Sequence, residues 1–171
     1  SHAQDVSATV TDSVSGPLAS PVTADVTAAD VSTLGVKSKS LTGSDVAGNS
    51  ATIGCTYVVS LAFLGFREPI PQTSHKAGST IPVKFRLGNA TGARLSDAAA
   101  QALLAPDCLV AVTLDGSAKG CAGYDPESDT FQYDLKTAKT LAPGSHTVGI
   151  RVSAPDGSGV VNRDSTAVTI R

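Results

Sequence analysis

The residues best placed to do chemistry are three carboxylates at alternate positions, Asp125, Glu127 and Asp129, directly after Tyr124. Alternating oxygen donors in a short loop are what a hard cation takes. A tyrosine beside acids is also what a sugar-binding surface uses, a ring for stacking and carboxylates for hydroxyls. The metal reading meets poor spacing. Thr130 stands at the sixth position, where an EF-hand loop turns on glycine, and Lys136 at the twelfth, where it takes glutamate. As a turn the segment needs no ion, since Asp first and Pro second fit a type I turn. Tyr124, Asp125, Glu127 and Asp129 are therefore kept as candidate ligand contacts, with no metal or cofactor required.

Other chemistry-bearing residues read more simply. Asp45 and Asn49 share a tight turn and would need Asp5 or Asp12 to surround an ion; side chains bonding their own backbone are the plainer use. Lys84 would form an isopeptide bond, for example with Asn162, only if buried and desolvated. In Ile81-Pro-Val-Lys-Phe-Arg-Leu87 the alternation gives the core face to Ile81, Val83, Phe85 and Leu87, which puts Lys84 and Arg86 outside. His2, His75 and His146 do not cluster, and no Cys/His zinc spacing occurs. Gly144-Ser-His146 and Gly157-Ser-Gly159 are not nucleophile elbows. No motif supports catalysis.

Cys108 and Cys121 lie thirteen positions apart. A disulfide between them would stabilise by about 3 kcal/mol in the chain-entropy picture. Buried reduced thiols are the alternative, since free cysteine packs as a small hydrophobe. Cys55 is left over in either case.

Alternation of apolar and polar residues dominates the chain that must position these groups. Hydrophobic residues make up 41%, enough for a core, while charged residues make up 16%, well below the usual quarter. Ser, Thr, Val, Ala and Gly fill the gap, a mix suited to β-sheets with uncharged outer faces. The net charge is −2, with −3 in residues 1–60 and +1 beyond, so neither half has the basic excess that nucleic acid demands. No apolar run reaches the length of a membrane span. The chain has no methionine, so it is expected to be a processed or excised fragment, with Ser1-His2-Ala3 left aside as a tag remnant.

Residues 1–60 read as a small Ig-like module, either a compact variant or one missing an N-terminal strand, with strands around Val6–Val10, Val22–Val26, Leu34–Val36 and Ile53–Tyr57. Residues 61–80 read as a semi-rigid crossover, stiffened by Glu68-Pro-Ile-Pro71 and anchored by Phe63 and Phe66. Residues 81–171 read as a second sandwich. Its strands lie near Ile81–Leu87, Leu109–Leu114, Phe131–Leu135 and His146–Val152, followed by a closing pair, Val160-Val161 and Ala167–Ile170. Ser96–Leu104 is the one helix, with Ser96 as N-cap. The expected fold is all-β: two tandem Ig-like antiparallel sandwiches, with one short helix in the second.

Lys76-Ala-Gly-Ser-Thr-Ile81 running into Pro82-Val-Lys-Phe85 resembles the signature of the PxKF domain family of secreted actinobacterial-type proteins. Asp45-Val-Ala-Gly-Asn49 with Cys55-Thr-Tyr57 resembles the end of the small Ig-like repeat that commonly precedes it. The resemblance implies secretion or cell-surface location, a β-rich fold, and no catalytic residues or established ligand. The expected role is a non-catalytic spacer or display module whose partners are other domains of the same parent protein. The alternative is a carbohydrate-binding accessory module. It would need an exposed tyrosine platform from Tyr57, Tyr124 or Tyr133, since the chain has no tryptophan.

Overall fold

The structure, a computed structural model, describes residues 6–11, 13, 15–27, 29–70, 74–89 and 91–171. His2, Asp5, Asp12 and Pro71 lie outside the described residues. The chain divides into two compact units, Ser1–Val59 and Ser60–Arg171. It is an all-β fold with one short helix.

In the first unit, β1 (Val6–Ala8) pairs antiparallel with β2 (Val22–Ala24), and β3 (Gly35–Ser44) with β4 (Ser50–Val59). Asp45 closes the β3–β4 turn on itself. Its carboxylate accepts from the Asn49 backbone N–H at 2.8 Å and the Asn49 amide at 2.7 Å. One face of this hairpin carries Leu41 and Val59, which are buried. The other is a Ser/Thr face on which Val36 and Val58 stay exposed. Lys39 bonds Asp30 at 2.7 Å and the carbonyl of Asp25. With help from the Thr27 N–H and hydroxyl, Lys39 lowers the Asp30 carboxyl to about 2.

The second unit is a sandwich of two sheets. The four-stranded sheet has the order β10 (Gly123–Asp125), β11 (Thr130–Lys136), β7 (Thr80–Gly88), β5 (Ala62–Arg67). The five-stranded sheet has the order β6 (Ser74–His75), β13 (Val160–Ile170), β12 (Gly144–Ser153), β8 (Val110–Leu114), β9 (Ser117–Cys121). All pairings are antiparallel except β6 with β13. The period of two along each strand sends alternate residues inward. Ile81, Val83, Phe85 and Leu87 of β7 meet Val110, Val112, Val148, Ile150 and Val152 of the facing sheet, all at most 2% exposed. The helix α1 (Asp97–Ala102) starts where the Ser96 hydroxyl accepts from the Ala99 N–H at 3.2 Å, and it buries Ala100.

Residues 61–80 are not a crossover linker. Ala62–Arg67 is a strand of the four-stranded sheet, paired with β7. The reason is a bulge. Phe63 lies opposite Leu87 and Phe66 opposite Phe85, with one extra residue between them on β5. Gly65, at φ +96°, absorbs that residue. Two phenylalanines three positions apart thus reach the same face, which a regular strand forbids. Asn162 of β13 fixes the entry to this strand. Its amide accepts from the Leu61 N–H at 2.9 Å and donates to the Leu61 carbonyl at 2.7 Å.

The closing pair of strands read from sequence is one continuous strand, β13. Its middle residues Asn162, Asp164 and Thr166 are polar yet lie on the inward-facing side, opposite Val152, Ile150 and Val148. Burial raises the Asp164 carboxyl above its ordinary value.

Replacing Gly65 by alanine forces a Cβ into a backbone conformation that L-residues avoid, at a cost of about 1–2 kcal/mol. The open space around Gly65 leaves no steric alternative to this cause. Urea unfolding of Gly65→Ala beside Gly54→Ala, where φ is ordinary, should show the loss at Gly65 alone.

Candidate functional site

Of the four candidate contacts, Tyr124 and Asp129 meet, and two residues from a separate part of the chain join them. The Tyr124 hydroxyl lies 3.0 Å from both Asp97 Oδ1 and Asp129 Oδ1. Arg94 Nε lies 3.1 Å from Asp129 Oδ1, and one of its terminal nitrogens lies 2.8 Å from Asp97 Oδ1. That nitrogen also donates to the Tyr124 oxygen at 3.4 Å and the Pro126 carbonyl at 3.2 Å. Two carboxylates thus share one guanidinium and one phenol. The Arg94 guanidinium is held more firmly protonated than usual, by Tyr124 first and Asp129 second. Burial pushes the Tyr124 phenol up.

Three elements build the cluster. Strand alternation in β10 points Tyr124 inward, where its ring packs on Phe131 at 5.0 Å. The hairpin between β10 and β11 carries Asp129 at φ +52°. The first turn of α1 carries Asp97. Asp125 and Glu127 do not join. The Asp125 carboxylate caps its own turn, accepting from Ser128 Oγ at 2.7 Å and the Glu127 N–H at 3.0 Å, and the Ser128 bond leads in lowering its pKa. Glu127 contributes its backbone alone to that turn. Arg94 and Asp97 had only one signal in sequence, an Arg–Asp pair at i, i+3 beside a helix cap.

The cluster ties loops together through Arg94, the Tyr124 hydroxyl and one oxygen each of Asp97 and Asp129. The other tyrosines are bonded as well. Tyr133 donates to the Lys119 carbonyl at 2.8 Å and Tyr57 to the Asp30 carbonyl at 3.3 Å. No group of three or more His, Cys, Asp or Glu side chains converges to hold a metal among the described residues. No helix among them is long and apolar enough to cross a membrane. Cys108 and Cys121 form a disulfide with Cα atoms 5.6 Å apart, and Cys55 is a free thiol. Lys84 lies on the outer face of the four-stranded sheet, while the Asn162 amide is bonded to Leu61.

His146 forms a second polar centre that sequence did not find. Asp115 and Gly116, both at positive φ, make the tight Asp-Gly hairpin between β8 and β9. This turn carries Asp115 to His146 Nδ1 at 2.7 Å and to the Thr147 N–H at 2.8 Å. His146 Nε2 faces the Ala142 carbonyl at 2.8 Å. Both ring nitrogens therefore meet acceptors, which only the imidazolium can satisfy as a double donor.

No protein-family model matches the chain, and no curated protein matches it. Among solved structures it is similar to CopC from Methylosinus trichosporium OB3b. The TM-score is 0.36 at 16% identity, over 65% of this chain and 93% of that one. It is also similar to SGBP-B of the Bacteroides ovatus mixed-linkage glucan utilization locus, solved with a mixed-linkage heptasaccharide. There the TM-score is 0.33 at 15% identity, over 81% of this chain and 30% of that one. Likeness at this level carries no argument about this chain.

The His146–Asp115 pair sets a pH window. Asp115 raises the His146 pKa above 6.5, so the histidine's contribution is complete below 6.5 and is lost as pH rises through the raised value. His146 lowers the Asp115 pKa below 3.8, so the carboxylate's contribution is complete above 3.8 and is lost as pH falls through the lowered value. The difference in urea midpoint between wild type and His146→Asn should be widest between pH 3.8 and 6.5 and shrink on both sides. A difference that stays flat from pH 4 to pH 9 contradicts the assignment.

Proposed function

We propose that this chain is a non-catalytic extracellular module, a spacer or display element of a larger secreted protein, as the PxKF resemblance implies. The observation that supports this most directly is that the candidate contact residues are engaged within the fold. Arg94, Asp97, Tyr124 and Asp129 bond one another, and Asp125 and Asp45 cap their own turns. All three tyrosines are half-buried, and each hydroxyl is bonded within the fold. A neutral-sugar platform needs an open aromatic face. The Cys108–Cys121 disulfide fits an oxidising compartment. The partners on this reading are other domains of the parent protein.

Incubation with insoluble cellulose, chitin and xylan tests the reading. The protein should stay in the supernatant with each and release no soluble sugar. Saturable retention on any of these neutral polymers, lost in Tyr124→Ala, would restore the carbohydrate-module reading. Sugar release would restore an enzyme.

A further inference from the structure

The outer face of the five-stranded sheet carries an arrangement that internal packing does not explain. In cross-strand register, Thr113, Gly149 and Ser165 form one row, and Ala111, Arg151 and Arg163 form the next. Two arginines thus stand directly opposite each other, a pairing of like charges that weakens a sheet. Among the described residues, no ion pair or hydrogen bond joins an acidic side chain to either arginine. Asp164 belongs to the opposite face, where it lies across from Ile150. Asp115, at the near hairpin, is engaged by His146 and the Thr147 N–H. Arg151 Nε is buried and has no hydrogen-bond partner, the costliest state for a charged donor.

Gly149 sits in the middle of this face at a position with no room for a side chain. A Cβ there would meet the Thr113 hydroxyl at 2.8 Å, the Asp164 carbonyl at 3.0 Å and Ser165 Cβ at 3.2 Å. The concavity beside it has a volume of about 170 Å³, and its wall includes Thr113, Thr147, Ser165, Arg151 and Arg163, with Asp164 among them. Two arginines and three hydroxyl-bearing residues therefore border one small open space, and the Asp164 side chain is directed to the opposite face.

We infer that this concavity binds a single oxyanion, a carboxylate or sulfate group such as acidic saccharides carry, between Arg151 and Arg163. An oxyanion there cancels the like-charge repulsion and supplies acceptors to the guanidinium forks, which match planar carboxylate and sulfate oxygens. The hydroxyls of Thr113, Thr147 and Ser165 offer further donors. With a net charge of −2, the chain lacks the extended basic surface of a polyphosphate binder, so a local oxyanion is the ligand that fits. This inference concerns a small-ligand site and stands apart from the spacer reading, whose test uses neutral polymers.

Amide NMR titration of the whole chain tests it, with sodium sulfate and sodium glucuronate as probes and sodium chloride at matched ionic strength as control. Saturable shifts should centre on Thr113, Thr147, Gly149 and Ser165 with at least one of the two oxyanions and not with chloride. Tighter glucuronate binding assigns the site to sugar carboxylates, and tighter sulfate binding to sulfate groups. Arg163→Gln should weaken binding by about tenfold or more, since a charge-assisted hydrogen bond is lost. Arg163 is exposed, so this variant keeps its fold. Its melting temperature in low salt should equal or exceed that of wild type, while the extra stabilisation by sulfate over chloride should vanish. Absence of saturable shifts with both oxyanions overturns the inference, as does equal affinity in Arg163→Gln.

Discussion

One row of aromatic rings holds the second unit together. It runs from Phe63 to Phe66 at 5.1 Å, to Phe85 at 6.3 Å, to Phe131 at 5.6 Å and to Tyr124 at 5.0 Å. The row crosses all four strands of one sheet and uses every phenylalanine in the chain. Each contact falls in the range where aromatic pairs add about 0.5–1.5 kcal/mol beyond burial alone. The bulge at Gly65 exists because Phe63 and Phe66 must both reach this row. The polar cluster exists where the row ends. Tyr124 places its ring on Phe131 and its hydroxyl among Asp97, Asp129 and Arg94. An apolar constraint thus decides where the charged residues meet.

The two sheets divide the work differently. On the four-stranded sheet the polar groups at the end of the aromatic row satisfy each other, and the β10–β11 turn caps itself. On the five-stranded sheet the outer face leaves two arginines opposed beside the Gly149 row. The first arrangement is what stability alone requires. The second weakens the sheet unless something fills it.

Strands with regular alternation were legible in sequence. β7 and β8 have inward residues that are all apolar, and their buried faces match the period of two. The Ser96 cap of α1 was legible for a local reason, its own hydrogen bond to the Ala99 N–H. β5 was not, because its bulge puts residues three apart on one face. β13 was not, because Asn162, Asp164 and Thr166 occupy inward positions that alternation reserves for apolar side chains. β9 carries Ser117-Ala-Lys-Gly120, with no apolar alternation. Its place is marked by the disulfide at Cys121 and by Tyr133 covering Gly120. In the candidate site, the sequence pointed to Tyr124 and Asp129 as neighbours in one turn but not to the bond between them. Arg94 and Asp97 were not legible, since topology alone brings them across some thirty residues. The concavity beside Gly149 was invisible for the same reason. Its walls come from three strands.

The central claim is that β5 belongs to a single aromatic-bonded sheet. Native-state hydrogen exchange tests it most directly, because it reads the opening free energy of each strand separately. The account predicts that the amides of β5 bonded to β7 exchange with the same opening free energy as those of β7 and β11. Exchange of residues 62–67 at the rates of an open linker, while β7 and β11 stay protected, would contradict it.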